Sequence, residues 1–215
     1  MAKSVTNDPF APSYWNQACD HLVAVSDQWC QLIMKFPDRA LRSRGKPFET
    51  LVRSVIGQQI SVKAAETVWR KLVDALGDEL NAMVLGQADP NLLRQAGLSR
   101  QKITYLAALC DFDQQGGLDL SLLNRLSDEQ VVQHLIQVKG IGQWTAHMLM
   151  IFSLMRPNIW PVDDAGLRKA ICIVFNHGQP INRKQAADFG STVTPWRTVA
   201  CWYLWRSLDP NVVDY

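Results

Sequence analysis

The sequence lacks any uninterrupted apolar run of about eighteen residues, so it offers no candidate transmembrane helix. Its opening stretch, MAKSVTNDPFAPSYW, lacks the apolar segment of a secretory signal, and an intracellular setting is expected: cytoplasmic, or nucleoid-associated in a bacterium. The five cysteines (Cys19, Cys30, Cys110, Cys172 and Cys201) never form a CxxC pair, which argues against a zinc ribbon, a disulfide framework or a thiolate-held iron–sulfur cluster. The four histidines, His21, His134, His147 and His177, show no metal-ligand spacing. Alternation of apolar and polar residues is nearly absent, so strands are not expected. Repeats, low-complexity tracts and charged tails are also missing. A formal net charge of +2 permits a polyanionic partner without demanding one.

What remains is helical periodicity. After Ser61, the residues Val62, Ala65, Val68, Trp69, Leu72 and Leu76 form an apolar stripe that ends at Gly77. Ser99 is placed to cap QKITYLAALCDF, and Ser127 with Gln130 forms the pattern of a capping box. Further helices are predicted near 145–154, 166–175, 183–189 and 196–208. The basic segment ALRSRGKP, residues 40–47, is the best linker candidate. The fold class read from this pattern is all-α, with many short helices joined by short loops.

Two stretches carry chemistry. In HLIQVKGIGQWTAHMLMIF, Gly140 and Gly142 flank Ile141 between two helical patterns. Glycine permits a tight turn with unusual φ, and a helix that starts at once afterwards leaves several backbone N–H groups pointing outward together. Such a cluster can hold a phosphate without reading sequence, and Lys139 adds positive charge. Read alone, the pattern is also that of a plain helix–helix turn. Twenty residues on, Trp160-Pro161-Val162-Asp163-Asp164-Ala165-Gly166-Leu167 introduces another helix. An acid at that point is ordinarily an N-cap, which satisfies orphan amides and complements the helix dipole.

Together, in this order and at this spacing, the two stretches closely resemble the helix-hairpin-helix–Gly/Pro–Asp superfamily of base-excision-repair glycosylases. The Pro-x-Asp-Asp form is similar to its 3-methyladenine DNA glycosylase II branch. The resemblance covers about residues 47–208. It implies a two-lobed helical bundle with a cleft between lobes, forming one glycosylase unit over 1–215. Residues 1–46 and 155–215 would form one lobe, and 47–154 a second lobe carrying the hairpin near 133–153. The chain is expected to lack the additional N-terminal β-rich domain of some larger relatives.

The resemblance further implies an enzyme that flips an alkylated purine out of double-stranded DNA and hydrolyses its N-glycosidic bond. Asp164 would be the catalytic carboxylate, with Asp163 an N-cap or loop organiser. A fixed carboxylate suits this chemistry because departure of the base builds positive charge on the sugar. Family members that also nick the strand carry a lysine where this chain has Trp144, so a monofunctional hydrolase leaving an abasic site is expected.

Other roles are implied residue by residue. PFETLVRSVIGQQISVKAA resembles the segment that fills the gap left by the flipped base, with Gln59 as the plug and Gln58 and Ser61 beside it. The hairpin residues Lys139, Gly140, Gly142, Gln143 and Thr145 would contact DNA. Trp144, Trp196, Trp160 and Met148 would form the pocket for a cationic base, whose charge aromatic faces can select. The main-chain carbonyls of Ile136, Val138 and Ile141 would hold a structural Na+ or K+, with no cofactor needed for catalysis. A monomer with no membrane association is expected. A non-catalytic DNA-binding protein and a glycosylase for other damaged bases are the alternative readings.

Overall fold

A computed structural model describes residues 11–37, 39–43 and 45–209, and among them the secondary structure is helical with no strand. In chain order the helices are α1 (Trp15–Val25), α2 (Asp27–Met34), α3 (Pro47–Gly57), α4 (Val62–Leu76), α5 (Ala82–Gly86), α6 (Pro90–Gln95), α7 (Arg100–Gln114), α8 (Leu120–Arg125), α9 (Asp128–Leu135), α10 (Gln143–Phe152), α11 (Ala165–Phe175), α12 (Arg183–Ser191) and α13 (Arg197–Leu208). No helix among the described residues is long and apolar enough to cross a membrane.

Short polar side chains start most of these helices. Ser61 accepts from the Ala64 amide, Ser99 from Lys102 and Asp119 from Leu122, each satisfying a donor that the first turn leaves unpaired. The capping box at Ser127 and Gln130 is formed, and Asn182 with Gln185 makes a second one ahead of α12. Pro47 sits in the first turn of α3, where its missing N–H costs nothing. Of the basic segment at 40–47, the described residues 40–43, 45 and 46 are coil, with Ala40 and Leu41 buried.

The described residues divide into two compact units, one drawn from 11–43 and 155–209, the other from 45–154. Of the segments that the sequence assigned to the first lobe, residues 1–10, 38, 44 and 210–215 lie outside the described residues.

The first unit contains α1, α2, α11, α12 and α13. Its core is built on α13, where every residue from Thr198 to Arg206 is buried. A helix buried on all sides needs no polar stripe, and here it packs against α1, α2 and α11. Trp15 of α1 meets Trp202 edge-on at 5.1 Å and Tyr203 at 5.7 Å. Thr198 fastens the preceding loop to α13. Its Oγ1 donates to the Arg156 carbonyl (2.5 Å) and accepts from the Ile159 amide (3.1 Å), while its own amide donates to Pro157 (3.0 Å).

The second unit contains α3 to α10. Met148 to Phe152 of α10 are all buried, and α10 packs on α3 and α9. Leu51, Val52, Val55 and Ile56 of α3 are buried with Leu106 and Leu109 of α7 in the same core. Each such aliphatic side chain contributes roughly 1.5–3 kcal/mol through burial, enough to hold the short turns between helices in place.

Candidate active site

In the second unit, α9 ends at Leu135 with Ile136 as its C-cap, and the chain turns through two bonds, Val138 N–H to Leu135 and Ile141 N–H to Val138, both 3.0 Å. The two glycines of the turn are needed for different reasons. Gly140 has φ +91°, and a Cβ there would run into the Tyr105 ring of α7. Gly142, the N-cap of α10, has an ordinary extended conformation (φ −102°, ψ 179°), and a Cβ on it would meet nothing within 4 Å. No side chain caps α10. The N-terminal amides of this helix therefore open onto bare backbone at an exposed glycine.

Lys139, Gly142 and Gln143 are exposed, whereas Thr145 is only 2% exposed. The Thr145 hydroxyl accepts from Gln58 Nε2 (3.1 Å), and the same nitrogen donates to the Gly140 carbonyl (2.9 Å). Gln58 thus reaches into the hairpin, while Gln59 stands exposed in a left-handed conformation, φ +62°. Ser61 serves as the N-cap of α4. Trp144 is half-buried at the start of α10, and Met148, one turn later, is fully buried in the core of the second unit.

Backbone carbonyls in this hairpin are suited to a monovalent cation in one respect: Ile136 lies at the end of α9, where helix carbonyls lack intrahelical donors. The Val138 carbonyl already accepts the Ile141 amide, leaving its second lone pair for an ion. The Gly140 carbonyl is engaged by Gln58 and is not one of the three expected ligands. No cluster of His, Cys, Asp or Glu side chains suited to a metal ion exists among the described residues.

In the first unit, Asp164 is the N-cap of α11. Its Oδ1 accepts from the Leu167 amide at 2.6 Å and from the Trp205 indole Nε1 at 2.9 Å. A charged acceptor makes both bonds stronger than neutral ones. Gly166 leaves room for this arrangement, since a Cβ there would stand 3.1 Å from Asp164 Oδ1 and 3.5 Å from Trp205 Cδ1. One turn before Trp205 on the same helix lies Cys201, fully buried; burial first, and then the charge of Asp164, push its thiol well above the usual range.

The neighbouring acid has a different environment. Asp163 pairs with Arg183 at the start of α12 (2.7 Å to Nε, 3.4 Å to Nη2), and both side chains are largely exposed. An exposed ion pair of that kind is screened by solvent and contributes little to stability, and it suits a loop organiser.

The tryptophans divide in the same way. Trp160 is a core residue. Its indole N–H donates to the Ala186 carbonyl (2.9 Å), its ring lies beside Phe189, and Gly190 is a glycine because a Cβ would strike that indole. Trp196 is half-buried at the start of α13, after the cis Thr194–Pro195 bond, and stacks on Tyr14 with centroids 5.6 Å apart. Tyr14 in turn donates its hydroxyl to the Met155 carbonyl (2.8 Å), and burial pushes its phenol far above the usual range. Trp205, Tyr14 and Tyr105 are not marked by any local pattern in the sequence.

The sequence profile of the HhH-GPD superfamily base excision DNA repair proteins matches residues 52–193. The chain is 29% identical over 202 residues to DNA-3-methyladenine glycosylase 1 of Schizosaccharomyces pombe, covering 91% of this chain and 87% of that protein. A solved structure of the S. pombe 3-methyladenine DNA glycosylase in complex with abasic DNA superposes with a TM-score of 0.81 at 28% identity, covering 93% of this chain and 98% of that one. The DNA-3-methyladenine glycosidase of Bacillus halodurans superposes with a TM-score of 0.74 at 31% identity, over 97% and 93% of the two chains. With its hairpin, its Pro–Asp loop and two thirds of its length inside the family profile, this chain belongs to the HhH-GPD superfamily of base excision DNA repair proteins.

Proposed function

We propose that this protein is a monofunctional DNA glycosylase that removes alkylated purines such as 3-methyladenine and 7-methylguanine. The observation that carries this reading is the fixed carboxylate of Asp164, held on one oxygen by a helix N-terminus and an indole N–H. It is supported by similarity to proteins named 3-methyladenine glycosylases, one of them solved with abasic DNA.

In the proposed reaction, the duplex is held through the Gly142–Gln143 end of α10, with Lys139 beside it, and Gln59 fills the space left by the extruded nucleotide. Because the Thr145 hydroxyl is turned inward, its contribution to DNA binding runs through its main chain. Alkylation leaves the purine cationic. The C1′–N bond breaks with both electrons going to the base, which departs neutral, and positive charge develops on the sugar. Asp164 stabilises that charge. A water adds to C1′ and gives up a proton to the carboxylate or to solvent, leaving an abasic site. Trp144 offers no amine for a Schiff base, so the strand is not cut.

Trp144 in the second unit and Trp196 in the first each keep a half-buried ring, as a side chain that meets a cationic base requires. Where a monovalent ion binds the hairpin, the carbonyls of Ile136, Val138 and Ile141 would hold it, and its charge would add to the pull of Lys139 on phosphate. The protein acts as a monomer inside the cell in this reading.

The test is release of 3-methyladenine and 7-methylguanine from methylated duplex DNA by the wild type and by Asp164→Asn. The amide keeps an oxygen for Leu167 and Trp205, so the variant should fold, bind abasic duplex and release base at least about a hundredfold more slowly. Full activity in Asp164→Asn, or no release by the wild type, overturns the reading; binding without release indicates a DNA-binding module.

A further inference from the structure

Gln58 and Gln59 are adjacent and chemically identical, yet the fold uses them in opposite ways. Gln59 is exposed with φ +62°, and Ile60 (41% exposed) and Val62 (39% exposed) stand beside it. A non-glycine residue in the left-handed region is strained and persists only where neighbouring contacts impose it. Those contacts are visible. Gln58 uses both hydrogens of its side-chain amide inside the protein, on the Gly140 carbonyl and the Thr145 hydroxyl. On the other side of the turn, Lys102 Nζ donates to the Ile56 carbonyl at 2.6 Å and caps the C-terminal end of α3. Lys102 is half-buried, and that burial pushes its ammonium down.

Lys102 lies one turn before Tyr105 on α7, and Tyr105 is the residue whose ring occupies the space beside Gly140. Tyr105 is itself held by Gln101 Nε2 on its hydroxyl (2.5 Å). One helix therefore supports both the turn at 57–61 and the hairpin at 138–142, and Gln58 joins the two directly.

We infer that Gln58 is a positioning residue: its side-chain amide couples the turn bearing Gln59 to the hairpin, so that phosphate binding and insertion of Gln59 operate as one rigid device. Lys102 and Tyr105 form the base of that device. This rests on the glycosylase reading for its catalytic consequence, but the coupling is a property of the free protein. Gln58 then acts on base release through Gln59, not by touching DNA.

The experiment uses the full chain with Gln58→Met, which keeps length and removes the donor, together with Gln59→Ala and the double variant. Hydrogen exchange on the free proteins comes first. Gln58→Met should accelerate exchange at residues 57–62 and 140–145 together; a change at one segment alone, or at neither, overturns the coupling. Single-turnover base release is then measured on a duplex with 7-methylguanine paired to cytosine and on one with the lesion opposite an abasic gap, where extrusion is easier. Gln58→Met should lose about tenfold on the paired duplex, roughly what two partly buried hydrogen bonds sustain, and less than about threefold opposite the gap. The double variant should be no slower than Gln59→Ala. Equal losses on both duplexes, or losses that multiply in the double variant, would mean that Gln58 contacts DNA on its own account. Should Gln58→Met fail to fold, Gln58→Asn retains the amide with a shorter reach and is read by the same two measurements. A wild type that releases no base defeats the glycosylase reading, and the exchange data still decide the coupling.

Discussion

The indole of Trp205 donates to the same carboxylate oxygen of Asp164 that caps helix α11, at 2.9 Å, from a ring only 8% exposed. An acid held by two donors on one oxygen has little freedom to rotate, and the orientation of its other oxygen is set by the protein rather than by solvent. Trp205→Phe removes the N–H while keeping an aromatic ring. The expected result is a fall in kcat of about tenfold with KM changed less than about twofold; a fall in KM-limited rates alone would show that Trp205 serves binding instead.

Gly166→Ala separates stability from activity. Alanine is favoured over glycine inside a helix by roughly 0.5–1 kcal/mol, and Gly166 has no left-handed backbone that a side chain would strain. Its Cβ would nevertheless crowd Asp164 Oδ1 at 3.1 Å, while meeting Trp205 Cδ1 at an ordinary contact distance of 3.5 Å. Thermal melting should show a Tm unchanged or slightly raised, while base release slows several-fold. Base release at the wild-type rate would mean that the carboxylate does not depend on that space.

The two hairpin glycines should respond oppositely to alanine. Gly140→Ala forces a left-handed alanine, costing about 1–2 kcal/mol in backbone alone, and drives a methyl into Tyr105; a clear drop in Tm is expected. Gly142→Ala meets nothing within the protein, so Tm should hold, while affinity for abasic duplex, followed by fluorescence anisotropy, weakens about tenfold as the methyl obstructs phosphate. If the Gly142 variant binds normally, phosphate does not approach that backbone.

Alkaline pH should weaken the fold through its buried thiols. Burial raises Cys19 to about 11 and Cys110 to about 12, from an ordinary value of 9.0. Between pH 9 and those values the unfolded chain has released these protons and the folded chain still holds them, so stability falls as pH rises. Below pH 9 both states are protonated and the effect vanishes. Urea melts from pH 8 to 11 should show a declining midpoint, and Cys110→Ala should flatten part of that slope even though the substitution lowers stability throughout.

Helices α4, α7 and α9 and their caps were legible in sequence because capping is local: Ser61, Ser99 and Ser127 need only the amides of the next turn, whereas α1, α2, α5, α6 and α8 were not foreseen. Helix α10 starts two residues earlier than the apolar pattern indicated, because Gly142 serves as its N-cap and brings Gln143 and Trp144 into the first turn. The side-chain environments were harder to read. Asp163 and Asp164 are identical neighbours, told apart only by Arg183 on one side and Trp205 on the other, partners 20 and 41 residues away. Trp160, expected in the base pocket, is instead a buried core side chain, fixed by an indole N–H that donates to the Ala186 carbonyl 26 residues away. Trp205 gave no signal at all, since α13 is buried throughout and has no polar stripe against which one residue could stand out.

Thr198 gives the site a mechanical property. By binding Arg156, Pro157 and Ile159, it rivets the segment that leads to Asp164 onto the helix that supplies Trp205. Acid and donor therefore belong to one frame, and a thermal displacement of α13 carries both together. Common-mode motion leaves their separation unchanged, so the carboxylate can ride on a breathing scaffold without losing its aim.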